Sequence, residues 1–233
     1  MAELKGRIAL ITGASRGIGA AVAKRMAKEG AHVILAARTV GALEEVDDEI
    51  KKEGGTASLL PVDLSRFDKI DEMAFAIMQK FGRLDVLVGN AATIGALSPV
   101  THLPPEKWEE VLRLNLTANW RLLRAFDPLL KISEAGRAVF VTSGVTRAAF
   151  PFWGAYSISK SGLEMLVKTY AAETEKTKIK SNIIDPGVVR TRMRAEAFPG
   201  ENPEKLPLPE TITDIFVKLA KSDFKESGKV FFA

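Results

Sequence analysis

Short apolar runs alternate with segments of helical periodicity along almost the whole chain, and this alternation restricts the fold more than any other feature. Seven apolar runs are predicted as strands, at residues 7–12, 32–37, 56–61, 84–88, 137–142, 181–184 and 229–232. Segments with helical spacing of apolar residues are predicted as helices at 20–29, 40–53, 67–81, 105–131, 153–177 and 209–221.

The apolar runs are continuous instead of alternating, which is typical of strands covered on both faces. Repeated strand–helix units favour a parallel sheet with right-handed crossovers. The sequence therefore predicts a doubly wound α/β fold, a seven-stranded parallel sheet with helices on both faces. No Pro/Gly/Ser-rich linker divides the 233 residues, so a single domain over 1–233 is expected.

Composition excludes several kinds of site. The chain has no cysteine and only two histidines, His32 and His102. Disulfide scaffolds, thiol nucleophiles and cysteine-ligated zinc or iron–sulfur centres are therefore excluded. Histidine metal chemistry is not expected either, and we predict no metal site.

The charge pattern and hydropathy argue against nucleic-acid and membrane partners. Lysine and arginine number 33 against 29 aspartates and glutamates, a net charge of +4 with the charges interspersed. The densest basic run, 176–180, falls where a long helix should end and cations complement the helix dipole. No apolar stretch approaches the ~20 residues that span a bilayer, and residues 1–5 lack the apolar region of a signal peptide. We expect a cytoplasmic protein.

A glycine-rich turn follows the first strand and reads Thr12-Gly13-Ala14-Ser15-Arg16-Gly17-Ile18-Gly19. Glycines let a backbone approach a pyrophosphate, and free N–H groups at a helix start hold the anion. The spacing is Gly-x-x-x-Gly-x-Gly, which differs from the widespread Gly-x-Gly-x-x-Gly fingerprint. A tight turn without a ligand is the alternative. The predicted cofactor-binding residues of the turn are Gly13, Ser15, Arg16, Gly17, Ile18 and Gly19.

Arg38 stands at the end of the second strand, where an NAD site usually carries an acidic residue for the ribose hydroxyl. Arg38 and Arg16 are suited instead to flank a 2′-phosphate, because guanidinium groups match phosphate geometry. The sequence therefore predicts NADP in preference to NAD. A surface arginine at the start of a helix is the alternative explanation.

Tyr156 and Lys160 are four residues apart near the start of a long predicted helix, so they share a face. A lysine ammonium ~4 Å away would stabilise a phenolate by up to about 4 kcal/mol, or roughly 3 pK units. Screening and desolvation would reduce that shift, which is still enough to bring a tyrosine into the range of general acid/base catalysis. An exposed helix pair is the alternative. Ser143 follows the preceding strand, at the sheet edge where ligands of open α/β sheets bind.

These motifs occur in one order: the turn 12–19, Asn90-Ala91, Asn115, Ser143, Tyr156-x-x-x-Lys160 and Asp185-Pro186-Gly187. In that order and combination the chain resembles the short-chain dehydrogenases/reductases over nearly its whole length. The resemblance implies a Rossmann-like form of the predicted fold. It also implies a catalytic tetrad of Asn115, Ser143, Tyr156 and Lys160.

The family assigns each member of the tetrad a role. Tyr156 would donate a proton to a carbonyl oxygen as hydride arrives from the nicotinamide, or accept it during oxidation. Ser143 would hydrogen-bond the substrate oxygen. Lys160 would bind the nicotinamide ribose and lower the pKa of Tyr156, and Asn115 would hold a water that links Lys160 to solvent.

The resemblance also implies further cofactor contacts. Asp63 would recognise the adenine amino group, and residues 186–191 would hold the nicotinamide carboxamide and phosphates. Beyond the glycine turn, the implied cofactor-binding residues are Arg38, Asp63, Leu64, Asn90, Ala91, Tyr156, Lys160, Pro186, Gly187, Val189 and Thr191. The sequence has Gly89-Asn90-Ala91-Ala92 where many members have Asn-Asn-Ala-Gly, so the resemblance leaves the geometry of that turn open.

Together these features predict an NADP(H)-dependent oxidoreductase that transfers hydride between the nicotinamide and a small carbonyl or alcohol substrate. A non-catalytic NADP(H)-binding sensor or scaffold on the same fold is the alternative. Imine reductase, enoyl reductase and epimerase chemistry also remain open within the enzyme interpretation.

The substrate region and the assembly are less defined. Phe150, Phe152 and Trp153 are predicted either to form an aromatic wall of the substrate cleft or to pack into the core or an interface. Three arginines, Arg190, Arg192 and Arg194, flank a possible lid at 199–209, where they either attract an acidic substrate or form a solvated face. The family also implies a homodimer or homotetramer, for which the apolar residues proposed are Leu122, Phe126, Leu129, Leu163, Leu166 and Tyr170.

Overall fold

Seven parallel strands form one sheet in the computed structural model, which describes residues 2–233. The strands are β1 (Ile8–Thr12), β2 (His32–Ala37), β3 (Thr56–Pro61), β4 (Val86–Gly89), β5 (Arg137–Val141), β6 (Lys180–Asp185) and β7 (Val230–Phe232). The helices are α1 (Gly17–Lys28), α2 (Val40–Lys52), α3 (Phe67–Phe81), α4 (Pro105–Leu112), α5 (Ala118–Ile132), α6 (Gly154–Glu173), α7 (Arg192–Ala197) and α8 (Thr213–Ala220). The predicted doubly wound fold is confirmed.

The strand order is β3-β2-β1-β4-β5-β6-β7, so the chain starts in the middle of the sheet and builds outward twice. β1 pairs with β2 on one side and with β4 on the other, with Ile11 opposite Val88. The direction of winding therefore reverses between β1 and β4. Open α/β sheets bind ligands at the carboxyl ends of the strands at such a point.

Two apolar clusters cover the two faces of the sheet. Ala9 and Ile11 of β1 point to the cluster that contains α1 and α8, whereas Leu10 points to the cluster of α3, α5 and α6. Burying a side chain such as Leu10 contributes about 1.5–3 kcal/mol. Coverage on both faces explains why the strand runs are continuously apolar.

The predicted helix at 105–131 is interrupted. A π-helical turn, Arg113–Thr117, separates α4 from α5. The side-chain Nδ2 of Asn119 donates to the backbone oxygen of Asn115 at 2.7 Å within this turn. Such π-bulges often mark functional positions in helices. The segment predicted at 209–221 likewise begins with a 3₁₀ turn, Pro209–Ile212, before α8.

The apolar residues proposed for subunit contacts lie in or against the core of the chain, not on its surface. Five of them are buried in the core of the chain itself, namely Leu122, Phe126, Leu129, Leu163 and Tyr170, while Leu166 packs against the same cluster. That part of the prediction was wrong, because these residues form the inward faces of α5 and α6. The outer faces expose Trp120, Ile132, Ile158 and Met165, and a homodimer or homotetramer stays a prediction.

Crossing a bilayer requires a helix of about 20 predominantly apolar residues. Within residues 2–233 no helix is long and apolar enough to cross a membrane.

Candidate active site

A cleft of about 1050 Å³ opens over the carboxyl ends of the central strands. All the predicted cofactor-binding and catalytic residues line it except two, Gly19 and Asn115. Its volume is at the upper end of the ~300–1,000 Å³ typical of ligand sites, which suits an elongated ligand. The residues that line it without having been predicted as site residues include Thr93, Ile94, Arg113, Met193 and Phe198.

The glycine turn brings β1 close to the loop after β4. Gly13 and Gly17 have positive φ angles of 66° and 55°, which favour glycine. A Cβ on Gly19 would lie 2.2 Å from the backbone oxygen of Gly13. Gly19 therefore packs against the backbone of Gly13 within the turn, and it does not line the cleft.

Thr12 and Asn90 hold the two loops together. The Thr12 hydroxyl donates to the Val88 oxygen at 3.1 Å and accepts from the Asn90 and Ala91 N–H groups at 2.9 and 3.1 Å. Asn90 Nδ2 donates to the Thr12 oxygen at 2.9 Å.

The start of α1 faces the cleft. Its N-cap residue, Arg16, makes no side-chain hydrogen bond to the helix. The first N–H groups of a helix lack intrahelical partners, and they are a ready site for an anion. An uncapped helix start beside positive-φ glycines fits a pyrophosphate.

Basic and acidic side chains lie at the far end of the cleft, beyond β2 and β3. Arg16 and Arg38 are exposed there, and neither has an ion-pair partner within the described chain. Burial opposes the ionisation of Asp63, but hydrogen bonds from Ser65 and the charge of Arg38 together lower its pKa. The Ser65 N–H and hydroxyl donate to Asp63 Oδ1 at 3.0 and 2.5 Å.

Asn115 lies behind the wall of the cleft and is fully buried. Its Oδ1 accepts from the Thr93 N–H, and its Nδ2 donates to the Thr93 oxygen, each at 2.9 Å. Nδ2 also donates to the Ser159 hydroxyl at 3.1 Å. Asn115 thus fixes the loop after β4 to α6, and it makes no direct contact with Lys160.

Tyr156 lies in the first turn of α6, with only 7% of its surface exposed. Burial raises the pKa of its phenol to about 12, against a lowering effect of the Ser143 hydroxyl and with a further rise from the charge of Asp185. The phenol oxygen lies 3.9 Å from Met193 Sδ. Tyr156 is therefore protonated at neutral pH.

Lys160 is almost fully buried one turn further along α6. Its Nζ donates to the Val141 oxygen at 2.7 Å and lies 5.8 Å from the centre of the Tyr156 ring. Burial lowers its pKa to about 8. The expectation that the ammonium depresses the tyrosine pKa allowed for desolvation but underestimated it, because burial dominates the pKa of both groups in the free chain.

An ion pair that the sequence did not indicate lies beneath the phenol. The carboxylate of Asp185, which is 2% exposed, pairs with the Arg147 guanidinium and accepts from the Gly187 N–H at 3.0 Å. Arg147 in turn lies 4.4 Å over the Phe232 ring. No periodicity links these residues, because they come from separate loops and strands.

The predicted aromatic wall is only partly present. Trp153 lines the cleft, whereas Phe150 and Phe152 are 49% and 55% exposed and do not line it. Phe198, which was not among the predicted site residues, lines the cleft next to Trp153. Phe150 and Phe152 pack neither in the core nor against the cleft, and their packing into a subunit interface stays a prediction.

The three arginines near the segment 199–209 all line the cleft, and each contacts a neighbour on the same part of the chain. Arg192 pairs with Glu196 and Arg194 with Glu201, while Arg190 donates to the Glu204 oxygen at 3.0 Å. These contacts weaken the case for an acidic substrate.

Comparison with known proteins agrees with this architecture. The family described as short chain dehydrogenase matches residues 7–202. The chain is 36% identical to "Uncharacterized oxidoreductase YciK" of Escherichia coli K12, over 98% of this chain and 92% of that protein.

Solved structures are similar over nearly the whole chain. One from Pseudomonas syringae has a TM-score of 0.96 at 41% identity, covering 99% of this chain and 95% of that one. Another, from Escherichia coli CFT073 and complexed with NADPH, has a TM-score of 0.95 at 35% identity, covering 100% and 98%. The chain belongs to the short-chain dehydrogenase/reductase family and is an oxidoreductase with the Rossmann-like fold of that family.

Proposed function

We propose that the protein is an NADP(H)-dependent oxidoreductase that interconverts a carbonyl compound and the corresponding alcohol. The observation that carries this proposal is the pair on α6. A buried, protonated phenol, Tyr156, and a buried ammonium, Lys160, lie in the same cleft as an uncapped helix start. A proton donor and an anion site in one cleft are what hydride transfer from a dinucleotide requires.

The residues of the cleft fit the cofactor along its length. The N–H groups at the start of α1 would hold the pyrophosphate, and Asp63 would accept from the adenine amino group. Arg16 and Arg38 would flank a 2′-phosphate, and residues 186–191 would hold the nicotinamide end. The similar E. coli structure complexed with NADPH supports this choice of cofactor.

Proton transfer is assigned to Tyr156. When bound, the nicotinamide supplies the hydride for reduction or accepts it during oxidation. In the reducing direction the Tyr156 hydroxyl donates its proton to the carbonyl oxygen as the hydride reaches the carbon. Ser143 positions that oxygen by hydrogen bonding, and the charge of Lys160 stabilises the phenolate that remains.

The test of this function has two steps. Titration with NADPH and NADH measures cofactor binding, and a panel of ketones, diketones, quinones and 3-oxoacyl thioesters then measures NADPH oxidation. We expect tight NADPH binding and turnover of at least one carbonyl class. NADPH binding without turnover across the panel would favour the non-catalytic sensor.

Cofactor preference is tested at Arg38. Replacing it with leucine removes a cation near the proposed 2′-phosphate and should weaken NADPH binding roughly five- to tenfold, since exposed charge contacts are modest. NADH affinity should change less than about twofold, because NADH has no 2′-phosphate for this cation to contact. Fluorescence titration of both cofactors measures the ratio. Equal losses for NADPH and NADH would contradict the assignment.

The pH dependence of reduction is set by Lys160. Its pKa of about 8 means that the ammonium loses its proton as pH rises through that value, while Tyr156, at about 12, stays protonated. We therefore expect kcat/KM for carbonyl reduction to be level below about pH 8 and to fall above it. NADPH binding measured over the same range separates effects on affinity from effects on proton transfer. A rate that stays level to about pH 10 would show that the charge of Lys160 does not control the rate of reduction.

A further inference from the structure

Three aromatic rings lie in a row from the first turn of α6 to the end of α7. The Trp153 ring meets the Tyr156 ring nearly edge-on, with centres 5.7 Å apart and planes at 66°. On its other side the Trp153 ring lies 5.8 Å from that of Phe198, with planes tilted by only 31°. We call these three residues the aromatic row.

The aromatic row borders the space next to the phenol oxygen. Trp153 and Phe198 both line the cleft, and Met193 Sδ lies 3.9 Å from the phenol oxygen. Ile94 and Ala197 line the same cleft. These side chains are uncharged, so together they offer a substrate apolar and aromatic surface.

Two of the charged groups near this space are paired with groups of opposite charge. The Arg194 guanidinium lies 3.7 Å over the Phe198 ring and donates to both oxygens of Glu201 at 2.6 and 2.7 Å. Beneath the phenol, Asp185 is paired with Arg147. A charged substrate group beside the aromatic row would lose its hydration and meet Arg194 and Asp185 already paired, which is costly. Lys160, the cation near the phenol, donates to the Val141 oxygen instead.

We propose that the substrate is an uncharged, ring-bearing carbonyl compound whose planar ring packs against Trp153 and Phe198 while its carbonyl oxygen reaches Tyr156. This inference rests on the function proposed above. It goes further by naming the substrate class and the side chain that selects it.

The distance between the rings indicates how a substrate ring would bind. Stacked carbon atoms lie about 3.5–4.0 Å apart, so a ring inserted between two others needs roughly 7–8 Å between their centres. Trp153 and Phe198 are 5.8 Å apart, so the two rings must separate on binding. Phe198 is the one that moves, because it follows the short helix α7, whereas Trp153 directly precedes the long helix α6.

Phe198 is therefore the specificity-determining residue. Its ring is held in the row by the Arg194 guanidinium, and the N–H of Arg194 donates to the Thr191 hydroxyl at 3.1 Å. Replacing Phe198 with leucine keeps an apolar side chain there but removes the flat aromatic face. Aromatic pairs contribute about 0.5–1.5 kcal/mol beyond their buried area, which corresponds to roughly 2- to 10-fold in affinity.

The experiment uses two ketones of almost equal size, acetophenone and cyclohexyl methyl ketone, with the NADPH-loaded protein. In Phe198→Leu we expect the KM and the binding constant for acetophenone to rise roughly 2- to 10-fold. The values for cyclohexyl methyl ketone should change less than about twofold, because it has no aromatic face. Phe150→Leu is the matched control, since Phe150 is exposed and outside the cleft, and it should alter neither ketone.

The outcomes separate this inference from the proposed function. Equal losses for both ketones in Phe198→Leu, or no preference for acetophenone in the unaltered protein, would overturn the substrate class while leaving the reductase intact. Selective binding of acetophenone that depends on Phe198, without NADPH oxidation, would contradict the proposed function and support the aromatic site. Turnover of acetophenone that weakens selectively in Phe198→Leu supports both.

Discussion

Tyr156→Phe is expected to lower the rate of carbonyl reduction by about 100- to 10,000-fold, the range usually lost with a general acid. The substitution removes only the hydroxyl, and the ring keeps its edge-on contact with Trp153. NADPH affinity should therefore stay within about twofold, since no hydrogen bond of the glycine turn is touched. Single-turnover NADPH oxidation and a fluorescence titration measure the two quantities on the same sample.

The chain supplies a matched control for this substitution, because it contains only one other tyrosine. Tyr170 is also buried in α6, and its hydroxyl donates to Asp127 Oδ1 at 2.9 Å. Tyr170→Phe should cost about 1 kcal/mol of stability, the typical contribution of a hydrogen bond, and leave turnover unchanged. If Tyr156→Phe retained most of its turnover, or lost no more than Tyr170→Phe, Tyr156 would not be the acid.

The sheet and the glycine turn were predictable because their causes are local. In the predicted strand at 32–37, five adjacent apolar residues lie between His32 and Arg38, and the structure places β2 at the predicted residues. Gly13 and Gly17 are required by backbone angles that few other residues adopt, so their positions reveal the turn. Constraints of this kind act within a few consecutive residues, so they can be recognised from the sequence.

The features that were not predicted depend on contacts between distant segments, on the insertion of one residue into a helix, or on a helix too short to show a pattern. The π-helical turn at Asn115 inserts one residue into a helix, and that shift is too small to see in five residues of periodicity. α7 has six residues, too few for an amphipathic pattern. Phe198 joins the aromatic row only because the chain after β6 folds back over α6.

The placement of the catalytic pair was predictable from the sequence, but the protonation of its two members was not. Spacing alone placed Tyr156 and Lys160 on one helix face. It did not reveal that Lys160 Nζ is directed at the Val141 oxygen, or that burial raises the tyrosine pKa instead of letting the ammonium lower it. Solvent exclusion depends on the packing of the whole cleft, so the protonation state in the free chain required the structure.

Gly19→Ala is expected to have the second large effect, a loss of NADPH affinity of up to about 100-fold. The added Cβ would lie 2.2 Å from the Gly13 oxygen and 2.6 Å from Asn90 Nδ2, closer than real Cβ contacts come. Inserting one methyl into a packed site usually costs about 1–3 kcal/mol, and 1.4 kcal/mol is tenfold in affinity. The atoms that must yield belong to the turn that would hold the pyrophosphate, so binding and stability should fall together.

Gly41→Ala provides the comparison for that result. Gly41 lies in α2, its φ is not positive, and no atom outside its immediate chain neighbours lies within 4 Å of the Cβ that alanine would add. Alanine should be neutral or slightly stabilising there, because glycine costs about 0.5–1 kcal/mol within a helix, and NADPH affinity should not change. Thermal unfolding and NADPH titration of both variants distinguish a local effect from a general one. An unchanged NADPH affinity in Gly19→Ala would mean that the turn tolerates the displacement of Gly13, and that the backbone position of Gly13 is not needed to hold the pyrophosphate.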